Sequence, residues 1–307
     1  MFKDIVCAIT PSEICECAAD TAINFSQRFD SKLYFVHVCG MEQGWGHVRH
    51  LEASGETERI KQNIINYYED KLGGVKDSCS VMVVPGMPHS EILRIARKVN
   101  SDLIVMGPHT KEYAERRSKM WGMAGSTLEK VSQKARCPVM IVPKSTPYGE
   151  QTFSNIIAAT DFSEQAECAV AYAGQMARQY KAELTVFHVL DAHNMSQDEI
   201  EKGIQAALGR MKEEFEPRLG GIEKCSFECW EGQPSMEILK LGRRKKADVI
   251  LMAHHTREKD PEKAFLGSTV AQVALNAGCP TMSINRYFDM RCGLMYDQTG
   301  EVTEAHA

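Results

Sequence analysis

DIVCAITPSE at residues 4–13 returns, without a gap, as NIIAATDFSE at residues 155–164. The register then holds at an offset of 151 through Cys17 and Cys168, Ala22 and Ala173, Leu33 and Leu184, and His37-Val38 and His188-Val189. It falls to 146 where VPGMPHSEIL (84–93) meets WEGQPSMEIL (230–239), and to 142 at Gly125-Ser126-Thr127 and Gly267-Ser268-Thr269. A repeat of roughly 140 residues is far longer than a solenoid unit. It is a domain-sized duplication, so any chemistry the chain carries is written twice and the copies can be compared.

Each copy alternates two kinds of segment. In the first, Ile5–Ile9, Leu33–Val38, Cys79–Val84, Asp102–Met106 and Val139–Val142 are short apolar runs suited to buried parallel strands. Between the first two, Cys15, Ala18, Ala22, Phe25 and Phe29 form one helical stripe behind Ser12 as N-cap. The second copy repeats the stripe with Ala166, Ala169, Ala173, Met176 and Tyr180 behind Ser163. Further helices are predicted over 57–72, 198–219, 90–99 and 235–245, and one from each Gly-Ser-Thr triplet to before Cys137-Pro138 or Cys279-Pro280. The fold class is therefore α/β: two tandem, doubly wound, five-stranded parallel sheets with helices on both faces. Domains are expected at 1–146 and 153–286, joined by PKSTPYGEQT at 143–152. Residues 287–307 have no counterpart in the first copy and read as a surface extension, partly disordered at its end.

Composition limits the function classes. A chain of 307 residues suits two domains at about 150 residues each. With 25% charged residues and a net charge of −5, it offers no basic footprint for nucleic acid or an anionic membrane. No apolar run approaches the roughly 18 residues that span a bilayer. MFKDIVCAIT leads straight into the first strand without a secretory pattern, so a cytoplasmic address is expected. The 11 cysteines are scattered and read as small hydrophobes in a reducing compartment.

Candidate site residues fall at the carboxyl ends of strands, where doubly wound sheets bind ligands. After the first strand the second copy has Thr160-Asp161-Phe162-Ser163-Glu164, which puts a carboxylate where it can accept from a ribose or a base edge. The first copy has Thr10-Pro11 there and loses the acid. After the fourth strand come Met106-Gly107-Pro108-His109-Thr110 and Met252-Ala253-His254-His255-Thr256, then a loop, Gly-Ser-Thr and a helix. Glycine ahead of a helix N-terminus lets backbone amides approach phosphate oxygens. Ser or Thr acting as a plain helix cap explains the triplet equally well.

Taken together these residues resemble the universal stress protein family in tandem form. The resemblance rests on TDFSE at 160–164, HVLD at 188–191, the Gly-x-Pro before EIL at Gly86 and Gly232, SDLIVM and ADVILM, and the Cys-Pro before the last strand. It covers roughly residues 4–143 and 155–285. It implies an adenine nucleotide alpha hydrolase-like fold, related to flavoprotein subunits and nucleotidyl transferases, with pairing through the last strand. Val139–Val142 would then lie antiparallel to Thr281–Ile284, making the chain an internal pseudo-dimer, itself a monomer or a homodimer of tandems. It also implies adenine nucleotide (ATP) binding in some members. The family motif is Gly-x-x-Gly, nine residues, then Gly with Ser or Thr. Here the first copy keeps Gly107, has Thr110 at the second glycine, and spaces fourteen residues before Gly125, Ser126 and Thr127. The second has Ala253 and Thr256 at the two glycines and ten residues before Gly267, Ser268 and Thr269. Because it keeps the acid and a near-family loop length, the second copy is the expected nucleotide site. Asp161 would contact ribose or adenine, Val189 would offer backbone to the base, and Gly267, Ser268 and Thr269 would hold phosphates.

Other constellations have plainer readings. Cys15-Glu16-Cys17 on a helix points to different faces and chelates poorly, and Cys225 and Cys229 have no second pair, so no metal site is expected. His37 and His188 recur as buried, hydrogen-bonded histidines. His254-His255 suits an exposed surface role more than a ligand contact, and Gly44-Trp45-Gly46-His47 lies in a loop. Arg243-Arg244-Lys245-Lys246 is a solvated helix end. Three functions stay open: a stress-response protein that senses or sequesters an adenine nucleotide and acts through unidentified protein partners, a nucleotide-free interaction module, and a slow ATPase. For the last, Asp260 and Glu262 are unpaired acids, and no Walker motif is present.

Overall fold

The computed structural model describes residues 1–10, 13–40, 44–75, 77–108, 126–146, 152–254, 267–285, 295–296 and 302–303. The first half contributes β1 (Asp4–Ala8), α1 (Glu13–Phe29), β2 (Lys32–Gly40), α2 (Trp45–Ser54), α3 (Glu56–Tyr67), α4 (Glu69–Leu72), β3 (Cys79–Gly86), α5 (Pro88–Lys98), β4 (Leu103–Met106), α6 (Ser126–Lys134) and β5 (Val139–Ile141). The second contributes β6 (Asn155–Thr160), α7 (Glu164–Tyr180), β7 (Glu183–Leu190), α8 (Gln197–Phe215), a single 3-10 turn (Glu216–Arg218), β8 (Cys225–Glu231), α9 (Pro234–Lys245), β9 (Val249–Ala253), α10 (Ser268–Asn276) and β10 (Thr281–Ile284). Beyond it, β11 (Met295–Tyr296) and β12 (Val302–Thr303) pair antiparallel; the rest of 287–307 lies outside the described residues.

All ten main strands form one sheet, in the order β3-β2-β1-β4-β5-β10-β9-β6-β7-β8. Neighbours run parallel throughout each half. The halves meet antiparallel, with Thr281 opposite Ile141, Met282 opposite Met140 and Ser283 opposite Val139. This is the pseudo-dimeric pairing that the resemblance implied.

The sheet divides the core by strand alternation. On one face a single cluster runs across both halves, from Ile5, Cys7 and Phe35 to Ile156, Leu184 and Val249, covered by α1, α3, α7 and α8. The other face holds two clusters, one under α5 and α6 and one under α9 and α10. Both helical stripes read from the sequence point into the shared cluster, and Ser163 caps α7 by accepting from the Ala166 amide at 3.2 Å. Ser12 lies outside the described residues.

The duplication also repeats its locks. Asp102 Oδ2 accepts from the Lys3 and Asp4 amides at 2.7 and 3.0 Å, and Asp248 Oδ2 accepts from the Ser154 and Asn155 amides at 2.7 and 2.8 Å. Each carboxylate ties the amino end of one strand to the next. One lock crosses the halves: the Asn285 amide donates to the carbonyls of Ser132 and Ala135 at 2.6 and 2.9 Å, closing the C-terminus of α6.

Two expectations are corrected. The predicted helix over 57–72 is broken at Tyr68, whose ring is fully buried and whose φ of −102° leaves the helical range. Gly44-Trp45-Gly46-His47, read as loop, instead opens a helix that runs from Trp45 to Ser54. Its propensity is modest, but Val48 and Leu51 are buried against Gly40, where an added Cβ would sit 2.9 Å from Leu51. Tertiary packing stabilises this helix, which a local pattern cannot reveal.

Candidate functional site

Strand order reverses between β6 and β9, so the chain leaves their carboxyl ends in opposite directions and opens a crevice. A cavity of about 340 Å³ lies there, within the range of small-molecule sites. Ala159, Phe187, Val189 and Met252 form the sheet wall, Pro234 and Ile238 of α9 face them, and Gly267, Ser268, Thr269 and Val270 close the end at α10.

The turn after β6 sets Asp161 at this cavity. Asp161 Oδ1 accepts from the Ser163 amide at 3.1 Å, and Thr160 Oγ1 accepts from the Phe162 amide at 3.0 Å. Phe162 sits at φ 62°, a left-handed conformation that a bulky residue adopts only when held. The holding groups are the His188 ring at 4.6 Å, the stacked Phe215 ring at 6.4 Å and the Arg210 guanidinium at 4.2 Å over its face. Phe162 thus anchors the turn on the layer behind the sheet, while Asp161 stays exposed at the mouth.

The opposite end is built for negative charge. Gly267 donates its amide to the His254 carbonyl at 3.2 Å and accepts from Ala271 at 2.9 Å as α10 begins. The amides of Ser268, Thr269 and Val270 have no acceptor within the helix by geometry, and they stand at the positive end of its dipole. His254 is 3% exposed and lines the same cavity, so the expectation of a surface role is wrong for it. The reason is a partner distant in the chain: its amide donates to the Ile284 carbonyl at 2.7 Å and extends the β9–β10 ladder one residue past the strand.

His188 and His37 are half-buried, and each uses Nδ1 against a carbonyl, Thr160 at 2.9 Å and Ile9 at 3.1 Å. Burial lowers both pKa values, while the carbonyl contact works the other way; Asp161 also raises that of His188 and Arg210 lowers it. They pin the carboxyl ends of β6 and β1. Cys225 and Cys229 both lie in β8, and no cluster of three or more metal-ligating side chains occurs among the described residues. In the basic run, Arg244 lies 5.4 Å over Trp230 and Lys245 pairs with Glu228 at 2.9 Å.

Of the residues singled out in the sequence, Asp161, Val189, Ala253, Gly267, Ser268 and Thr269 meet around this one cavity. In the first half Gly107 is buried beyond β4, and Ser126 and Thr127 open α6. Thr256, Gly125, His109, Thr110, His255, Asp260 and Glu262 lie outside the described residues. Phe187 and Ile238 of the apolar wall were not singled out, although alternation along β7 carries that signal for Phe187.

The model of the Universal stress protein family matches residues 1–143 and 152–285. A universal stress protein of Methanocaldococcus jannaschii is 31% identical over 151 residues, 47% of this chain and 84% of the relative. The crystal structure of a universal stress protein from Archaeoglobus fulgidus shares the fold over 92% of this chain and 96% of its own, at 19% identity and a TM-score of 0.63. A universal stress protein solved in complex with cAMP is similar over 43% of this chain and 97% of its own, at 22% identity and a TM-score of 0.32. No helix among the described residues is long and apolar enough to cross a membrane. With two family matches over one ten-stranded sheet, the chain belongs to the universal stress protein family.

Proposed function

We propose that the second half binds an adenine nucleotide, with ATP as the reference ligand, and that this binding serves a cytoplasmic stress response relayed through protein partners. The observation that carries the reading is the cavity itself. An apolar wall for a base, a carboxylate at its mouth and helix amides without an acceptor in their own helix at its far end are held in one crevice of about 340 Å³. The base lies between Val189, Phe187, Met252 and Ile238, the ribose hydroxyls donate to Asp161, and the phosphates meet the start of α10. Ala253 also lines the cavity, and its methyl takes space that the family's glycine leaves to the phosphates. That crowding favours, as a second reading, a nucleotide-free interaction module.

Isothermal titration of ATP into the wild type and Asp161→Ala separates the two. The nucleotide reading expects saturable binding that weakens by about 10-fold in the variant, the order of one charge-assisted hydrogen bond. Absence of heat with either protein refutes it. Mass spectrometry of small molecules released from protein purified without added nucleotide checks the ligand's identity.

A further inference from the structure

This inference deepens the nucleotide reading and rests on it. We propose that His254 contacts the phosphate end of the bound nucleotide and takes up a proton as it does so, which makes binding at this site pH-dependent.

The backbone of His254 is clamped on both sides, its amide on Ile284 of β10 at 2.7 Å and its carbonyl under the Gly267 amide at 3.2 Å. Along β9, Ile250 and Met252 enter the core layer beneath α9 and α10, and His254 continues that alternation onto the same face. It lines the cavity together with Ser268 and Thr269. A polyanion seated on the start of α10 therefore lies beside an enclosed imidazole. Opposite charge at short range stabilises the imidazolium, and limited solvent screening strengthens the effect.

Among the described residues, few titratable groups line the cavity with His254. The turn after β6 supplies Asp161. From β7 comes His188, whose ring meets Phe162 on the other layer and whose Nδ1 is bonded to Thr160. The cavity residues of α9, Pro234 and Ile238, and of α10, Ser268, Thr269 and Val270, carry no titratable group, nor does Ile284 of β10. At the equivalent place the first half has Pro108, which holds no proton, so the linkage belongs to the second half alone.

The sign follows from linkage. A histidine whose pKa rises on binding adds affinity that is fully present below its unbound pKa and is lost as pH climbs through the bound value. A rise of about one unit is about tenfold in affinity.

The test is titration of ATP into the wild type and His254→Gln at about pH 6, 7 and 8, in buffers of differing ionisation enthalpy. The ligand's own titration is common to both proteins, so their difference is read. The wild type should gain about tenfold affinity over the variant on going from about pH 8 to 6, with net proton uptake. Adenosine, lacking phosphate, should show no such difference. ATP binding with equal pH slopes in both proteins overturns the linkage and leaves the nucleotide reading intact. No heat at any pH overturns both. Should His254→Gln fail to fold, the His254 ring resonance of the wild type, titrated with and without ATP, decides: an upward pKa shift supports the proposal and an unchanged one refutes it.

Discussion

Replacing Phe153 by alanine tests whether the two halves fold as one body. Phe153 is fully buried at the start of the second half. Its ring meets Phe25 edge-on at 5.5 Å, stacks on Phe29 at 6.5 Å and lies 5.1 Å from Tyr180. Phe2, its counterpart 151 residues earlier, stacks on Phe25 at 5.9 Å and on Tyr180 at 6.5 Å. Each half thus contributes rings to a cluster that closes the shared core. Truncating a buried phenylalanine costs about 3–5 kcal/mol. An unfolding entropy of about 2.1 cal/mol/K per residue, over 307 residues, gives about 0.6 kcal/mol/K. The melting temperature should therefore fall by about 5–8 °C. Differential scanning calorimetry reads both the shift and the number of transitions, and the endotherm should move as a unit. A fall below about 2 °C, or a split in which one component stays in place, refutes the idea that the cluster couples the halves.

Tyr180→Phe should leave stability unchanged or raise it by about 1 kcal/mol in denaturant unfolding, because a buried hydroxyl without a partner is removed. The repeat already has Phe29 at that position, and a loss above about 1 kcal/mol would mean the hydroxyl is satisfied after all. His188 predicts a pH effect of definite sign. Its folded pKa lies below the ordinary histidine value, chiefly because of burial, so the unfolded chain binds the proton first as pH falls. Stability should be full above the unfolded pKa and decline as pH drops from there towards the folded one. His188→Gln should flatten that decline in thermal melts, leaving the share due to His37, and an unaltered slope would remove His188 from the account.

The fold was legible because the determinants of its strands and first helices are local and occur twice. Short apolar runs marked the five strands of the first half and the repeat carried them to the second, and the stripes ending at Phe29 and Tyr180 marked the first helix of each half. The glycine of the Gly-x-Pro motif also has a local cause. Gly86 and Gly232 sit at φ 144° and 133°, and an added Cβ would lie 3.0 Å from Glu91 and Glu237 respectively, side chains of the same motif. What the sequence hid depends on partners distant in the chain. The helix from Trp45 is held by Gly40, and the break at Tyr68 by a ring buried against Phe35 at 5.3 Å. His254 is enclosed by a ladder bond to Ile284 that no local pattern announces.

Comparing the copies position by position assigns their roles. Residues that serve folding recur: Asp102 and Asp248 at the amino ends of the strands, His37 and His188 against the preceding strand, and each motif glycine with its glutamate. Two differences lie at the carboxyl ends, the side on which a doubly wound sheet binds ligands. There Asp161 faces Thr10 and His254 faces Pro108 in the alignment. The first half also packs α2 onto β2 and β3, whereas the second runs from Leu190 directly to α8 at Gln197. Folding requirements act on both copies and account for what they share. A ligand requirement in the second half accounts for the acid and the imidazole found there, and it predicts that Asp161→Thr together with His254→Gln, which keeps the amide bonded to Ile284, spares the fold while removing what the second half binds.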